Sequence, residues 1–229
     1  MKEVEHINPV LEAARLQLER QWKRLVTIKT EFSAEDFKTL FLIRANQVML
    51  EHKSLKEFEI DINNREVLNL MYYYATRTNM DKINPLAGIV LTGAFGCGKS
   101  VMISALCRVL NDLKFTGNEP IKEMHAIELG DQIRLNGVIP YSRCPLLIQD
   151  MGKENKLVNA FGTMVNPISN LLAIRAEYGC LTFGSTNLDM EMLKNQYDEF
   201  ISKRFNEHVN RIFLPGKSRR PDYSINQPK

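Results

Sequence analysis

The sequence predicts an α/β fold, a parallel sheet with helices on its faces, behind a stretch that is helical only. Two observations carry this. Up to about residue 80 the apolar residues recur at helical spacing. From Leu86 onward, short apolar runs alternate with helical stretches, which is the pattern of strand–helix–strand units. Of the 229 residues, 44% are hydrophobic and 25% charged, near the averages for globular chains. This excludes a fully disordered protein, a collagen-like fibre and a disulfide-dense miniature.

The elements follow in order. Val10, Leu11, Ala14, Leu18, Trp22, Leu25 and Val26 fall on one face of a first helix. Ser33 and Asp36 have the spacing of an N-terminal cap, and Phe37, Leu40, Phe41 and Val48 carry the stripe of a second. Asn63 with Glu66 opens a third, with Val67, Leu68, Leu70, Met71 and Tyr74 on its apolar side. Tyr72, Tyr73 and Tyr74 point three ways on a helix, so packing is expected of them rather than a stacking platform. A polar segment, Asn79 to Pro85, divides a helical module (1–80) from an α/β domain (81–229). Strands are expected at Ala87–Leu91, Met124–Ile127, Leu146–Ile148, Leu181–Phe183 and Arg211–Leu214, and one continuous helix over Met190–Asn206.

Cys97, Cys107, Cys144 and Cys180 form no C-x-x-C pair and have no histidine at metal spacing, so buried thiols are expected. The N-terminal residues lack an apolar signal core, and no run approaches the ~18 apolar residues of a membrane span. A reducing cytoplasm is the expected location.

The sharpest local signal is Gly93-Ala94-Phe95-Gly96-Cys97-Gly98-Lys99-Ser100, followed by Val101. It fits G-x-x-x-x-G-K-[ST], follows a predicted strand and opens a predicted helix. Glycines let successive N–H groups converge on phosphate oxygens, and the helix N-terminus adds positive partial charge. Lys99 would reach the β- and γ-phosphates of ATP, and the Ser100 hydroxyl would ligate Mg²⁺.

Such a site needs an acid at the end of a neighbouring strand. Pro145-Leu-Leu-Ile-Gln149-Asp150 ends an apolar run in one, at the edge where ligands sit in open α/β sheets. Two registers are open. Asp150 holds the metal and Glu154 is left to activate water, or Asp150 takes the water-activating place and neutral Gln149 stands where a charged ligand is expected. A neutral amide lacks the Coulombic attraction for Mg²⁺, which predicts slow hydrolysis. Asn187 ends a third apolar strand, where it could orient water or simply begin the cap of the next helix. Arg204, then Arg211, are the candidates for an arginine supplied across a subunit junction.

The order GAFGCGKS, LLIQDMGKE, TFGSTNL, SKRF and GKSRR resembles the bacterial helicase-loader and transposition-helper ATPases, the DnaC/IstB-like branch of the AAA+ P-loop NTPases, over roughly residues 65–220. The resemblance implies an AAA+-type core without a full C-terminal helical lid, ATP and Mg²⁺ as cofactors, and Asn187 as the sensor. Arg204 would be the finger, Ser218 the serine of a terminal G-x-S-x-R, and Arg220 its arginine. It also implies assembly into a homo-oligomer on ATP, a single-stranded DNA partner, and a helicase or transposase gripped through residues 1–80. The function so implied is loading or remodelling of that partner on DNA. The alternative is a transposition helper, or a nucleotide-gated adaptor that hydrolyses weakly because of Gln149.

Net charge is only +3, yet residues 201–229 hold seven Lys/Arg against two acids. That basic end is expected to serve ATP at a junction first and DNA second. Arg134, Arg143 with Tyr141, and Lys217–Arg220 are the candidates for DNA.

Overall fold

The computed structural model describes residues 9–26, 32–160 and 163–219. Helix α1 (Pro9–Val26) keeps Val10, Leu11 and Leu18 of its apolar face exposed; the side chains of Trp22, Leu25 and Val26 lie outside those described. Helix α2 (Ala34–Glu51) starts where the cap predicts it, with the Ser33 hydroxyl accepting from the Asp36 amide at 3.0 Å. Helix α3 (Arg65–Thr76) starts by another device. Asn63 is the cap the spacing suggests, but Asp61 Oδ1 accepts from the amides of both Asn63 (2.9 Å) and Asn64 (3.1 Å). The acid shapes the turn that enters the helix, an Asx-type turn, rather than capping the amides of its first turn.

Strand β1 (Gly88–Thr92) leads into α4 (Lys99–Asp112), then β2 (Lys122–His125), α5 (Ala126–Asn136), a short α6 (Ile139–Ser142) and β3 (Leu146–Met151). A small antiparallel pair, β4 (Val158–Ala160) and β5 (Thr163–Val165), stands apart from the main sheet. Its three-residue strands are too short to show a period in the sequence. Helix α7 (Pro167–Glu177), β6 (Thr182–Thr186), α8 (Met190–Tyr197), α9 (Glu199–Glu207) and β7 (Val209–Phe213) complete the described chain. The single helix expected over 190–206 is therefore two. Asp198 breaks it with φ 73°, a left-handed backbone that cannot continue a right-handed helix.

The five-stranded sheet runs β2-β3-β6-β1-β7 and every pairing is parallel. A parallel sheet needs both faces covered. Leu147 and Phe183 face one apolar cluster together with Phe37 and Phe41 of α2, Met71 and Tyr74 of α3, and Leu106 of α4. Ile148 and Val90 face the other, under α5, α7 and α9. Among the described residues one apolar cluster runs across residue 80: α3 reaches the sheet through Tyr74 on Phe183, and α2 packs on α4 and α3. Their stripes read as a separate module in sequence because helical periodicity does not say which surface a stripe meets. The three tyrosines do point apart, with Tyr74 fully buried and stacked on Phe115 at 5.1 Å, and Tyr72 against Phe37.

At the N-terminal end of the sheet Arg175 of α7 is 1% exposed. Its guanidinium donates to the carbonyls of Tyr141 (2.5 Å), Cys144 (2.8 Å) and Leu181 (2.6 Å) and to the Thr182 hydroxyl (3.0 Å). One buried cation thereby ties together the starts of β3 and β6, taking the Tyr141 and Cys144 carbonyls and sharing that of Leu181 with the Leu146 amide.

Candidate nucleotide site

The loop from Gly93 to Gly98 joins the C-terminal end of β1 to the first turn of α4. Gly96 (φ 75°) and Gly98 (φ 107°) take left-handed conformations, so the backbone can curl around a small volume. The side chain of Lys99 is buried and folds back into this curl. Its ammonium donates to the carbonyls of Gly93 (2.8 Å) and Ala94 (2.7 Å) and to Asn187 Oδ1 (2.6 Å). Burial lowers the Lys99 pKa below its usual value, a trend Cys97 and Asp150 oppose and Lys153 reinforces. The lysine therefore joins the loop to the end of β6, two elements 88 residues apart. Asp189, not Asn187, caps α8, accepting from the Met192 amide at 2.8 Å, so Asn187 is free of that structural duty.

Asp150 sits at a break in the β3–β6 register and has φ 57°, a left-handed conformation for a non-glycine residue. The irregularity lifts its carboxylate out of the alternation and toward Lys153, which it meets at 2.7 Å. Lys153 in turn lies 6.0 Å from the ring centre of exposed Phe95 in the loop. Gln149 keeps the alternation and points under α4, fully hydrogen-bonded. Its amide nitrogen donates to Ser104 Oγ (2.6 Å), Glu123 Oε1 (3.0 Å) and the Ser100 carbonyl (3.2 Å), and its oxygen accepts from Ser185 Oγ (2.6 Å). Glu154 is not presented to the loop. It is buried, with Oε2 accepting from the Gly152 amide (2.8 Å) and Oε1 from the Gln196 side chain (3.3 Å).

The C-terminal strap crosses the loop. The Arg219 amide donates to the Gly96 carbonyl at 2.9 Å, and a Cβ on Gly96 would come within 2.3 Å of Ser218 Oγ. The Arg219 guanidinium pairs with Asp61 at 2.8 Å. Burial raises the Asp61 pKa, but Arg219 and the amides of Asn63 and Asn64 outweigh it, and the net shift is downward. Arg220, the expected terminal arginine, lies outside the described residues; Arg219 is the one at the loop. Sequence reasoning missed Asp61 and Glu123, whose partners are 158 and 26 residues away. Arg204 is half-exposed on α9 and pairs with Glu177 at 3.3 Å, and Arg211 lies on the edge strand β7. Neither joins the cluster around Lys99 among the described contacts. Arg143 stacks on Tyr178, 4.1 Å from its ring centre, rather than on Tyr141.

The residues fit a nucleotide and its metal. The loop offers a glycine cradle at a helix N-terminus, and Ser100 and Asp150 supply the hard oxygens that suit Mg²⁺. No cluster of three metal-binding side chains occurs among the described residues, so such an ion would depend on phosphate oxygens for its other ligands.

No protein-family profile matches the chain, and no curated protein matches its sequence. Among solved structures it is similar to the DnaC helicase loader, with TM-score 0.54 and 12% identity over 69% of this chain and 93% of that one. The likeness is one of fold. DnaI gives TM-score 0.53 and 19% identity over 71% and 88% of the two chains. A candidate primosome component from Streptococcus pyogenes serotype M3 gives 0.52 and 16% over 70% and 84%. The likeness expected from the motif order is thus met at the level of the fold.

Proposed function

We propose that this chain is a loader-like AAA+ ATPase that binds ATP with Mg²⁺ in the Gly93–Val101 loop. The observation that carries the reading is Lys99, a buried ammonium held by loop carbonyls and by Asn187, the residue just after β6. A phosphate chain is the ligand whose charge can exchange for those neutral acceptors. When bound, Mg²⁺ would draw charge from the phosphates. Lys99 would hold their oxygens, Ser100 and Asp150 would hold the ion, and Asn187, released by Lys99, would orient water. Arg204 would reach a neighbouring subunit's nucleotide from the surface of α9, and the basic strap ending at Arg220 would close over its own. Single-stranded DNA would track Arg134, Arg143 and Lys217. The exposed apolar face of α1 supports a partner, helicase or transposase, held through residues 1–80. No helix among the described residues is long and apolar enough to cross a membrane, and Cys97, Cys107 and Cys144 are buried free thiols, which suits a reducing cytoplasm.

One observation favours the second reading, a nucleotide-gated adaptor with weak hydrolysis. Glu154 is committed to its own loop, and Asp150 is paired with Lys153, so neither carboxylate is unengaged for activating water. Titration with ATP by calorimetry, then turnover with and without single-stranded DNA, tests both. Lys99→Ala should weaken ATP binding about a hundredfold, the scale of two charge-assisted hydrogen bonds. Arg204→Ala should leave binding intact and lower turnover. Equal affinity of the parent and Lys99→Ala would refute the site; brisk parental turnover would refute the adaptor.

A further inference from the structure

Gln149 occupies a place where the loop motif leads one to expect a carboxylate, yet the structure puts a carboxylate beside it. Glu123 on β2 lies on the same sheet face, opposite Leu147 and diagonal to Gln149, with His125 the direct partner of Gln149 in the register. Its Oε1 accepts from Gln149 Nε2 at 3.0 Å and from the Ser104 hydroxyl at 2.5 Å.

Following the protons shows what this does. A carboxylate oxygen accepts, and so does the Ser100 carbonyl at 3.2 Å, so together they select the amide face of Gln149 that donates. The Ser104 proton goes to Glu123, which leaves Ser104 Oγ to accept from Gln149 Nε2 at 2.6 Å. The amide orientation is then fixed, with its carbonyl toward Ser185, whose hydroxyl donates to it at 2.6 Å. With its proton so used, Ser185 Oγ can only accept. It takes the Asp150 amide at 3.0 Å and faces the Ser100 hydroxyl at 3.5 Å. The Ser100 proton is drawn toward Ser185, and the remaining lone pairs of Ser100 face away from it. A hydroxyl that ligates a divalent cation needs that arrangement, because its proton must point away from the ion.

We propose that Glu123 is a positioning residue for Mg²⁺. Through Gln149 and Ser185 it orients the Ser100 hydroxyl, so that a glutamate, an amide and a serine in series do what one carboxylate at position 149 would do directly. The proposal rests on the nucleotide reading above and adds a residue that the loop motif does not contain. It also reverses an expectation. On motif grounds alone, Gln149→Asp should improve the site; beside Glu123 it sets two carboxylates about 3 Å apart, which repel.

The test is titration of a fluorescent ATP analogue in excess Mg²⁺ and in EDTA, with nucleotide-free thermal unfolding measured alongside. The proteins are the parent, Glu123→Ala, Gln149→Asp, and the exchange Glu123→Gln with Gln149→Asp. The parent should bind more tightly in Mg²⁺ than in EDTA. Glu123→Ala should keep the EDTA affinity and lose about tenfold in Mg²⁺, the scale of one hydrogen bond to a charged group. Gln149→Asp should lose at least as much. The exchange should recover to within about threefold of the parent. Its amide, now on β2, can donate to the carboxylate now on β3, and that carboxylate can still accept from Ser185. If Glu123→Ala keeps the parental gain from Mg²⁺, or Gln149→Asp alone binds as well as the exchange, the proposal is wrong while the nucleotide site stands. If the parent binds in neither condition, the nucleotide reading fails and takes this one with it. Should Glu123→Ala unfold, the exchange against Gln149→Asp still decides.

Discussion

Two buried cations mark opposite ends of the sheet, and they are held in opposite ways. Arg175 is enclosed at the N-terminal ends of β3 and β6 by three carbonyls and a hydroxyl, all belonging to the ordered starts and ends of elements. Lys99 lies at the C-terminal ends of β1 and β6, held by carbonyls of an exposed loop and by one side-chain amide. Burial lowers the pKa of both. The difference is what replaces their partners. Nothing can reach the arginine, so its hydrogen bonds belong to the fold. The lysine's acceptors lie in a loop with exposed residues, so on the reading proposed above its hydrogen bonds would hold a place for a ligand. In open α/β sheets the C-terminal edge is where ligands bind, and on the proposed reading the two cations would divide stability from function along that axis.

The sharpest way to break the comparison is Arg175→Met. It leaves the carbonyls of Tyr141 and Cys144 without donors, while that of Leu181 keeps the Leu146 amide, at a cost of roughly 2–3 kcal/mol, which lowers the midpoint of thermal unfolding by about 7 °C for a chain of this size. Differential scanning calorimetry reads this directly. A drop under about 2 °C would show that water replaces the guanidinium. Next is Lys99→Met, which should change unfolding stability by less than about 1 kcal/mol. It removes a desolvated charge, and the acceptors it leaves lie at the crevice. Chemical denaturation of the nucleotide-free protein checks it; a loss as large as that of Arg175→Met would make Lys99 structural.

The smallest effect concerns Asp61 and Arg219, which are only partly buried, with side chains 40% and 30% exposed. Asp61→Asn should cost no more than about 1 kcal/mol, less in high salt. The sign with pH follows from the lowered carboxyl. The pair's contribution is complete above the ordinary carboxylate range and fades as pH falls through the depressed folded value. The gap between parent and Asp61→Asn should therefore close in acid and stay constant above neutrality. A gap that widens in acid would contradict the assignment.

How much of this was legible in the sequence depended on distance along the chain. The strand–loop–helix setting of Gly93–Ser100 was legible because its eight residues are contiguous and the glycines mark the turn. Four strands of the main sheet were legible as apolar runs, and the cap at Ser33 as a spacing of three; β2 was misplaced, because Lys122–His125 is polar and mostly exposed, and Ala126 and Ile127 of the expected run belong to α5. The break at Asp198 was not, since an aspartate in a left-handed conformation has no pattern in the flanking residues. The commitment of Glu154 to its own loop was also hidden, because a sequence shows an acid's position and not its direction. Most hidden were the pairs that only the fold brings together, Glu123 with Gln149 and Asp61 with Arg219. The departure at Gln149 could be seen at once; the carboxylate beside it could not, because it arrives from another strand.

The strap that crosses Gly96 has a consequence for how the molecule communicates. The Gly96 carbonyl accepts from the backbone of Arg219, whose side chain is anchored to the turn that starts α3. A rearrangement that turns this carbonyl away must release the strap, and a strap pulled away leaves the carbonyl unpartnered. The shape of the loop and the docking of the chain's basic end are thermodynamically linked, and linkage is reciprocal. Whatever the loop holds is felt at the strap, and whatever grips the strap is felt, to the same free energy, in the loop.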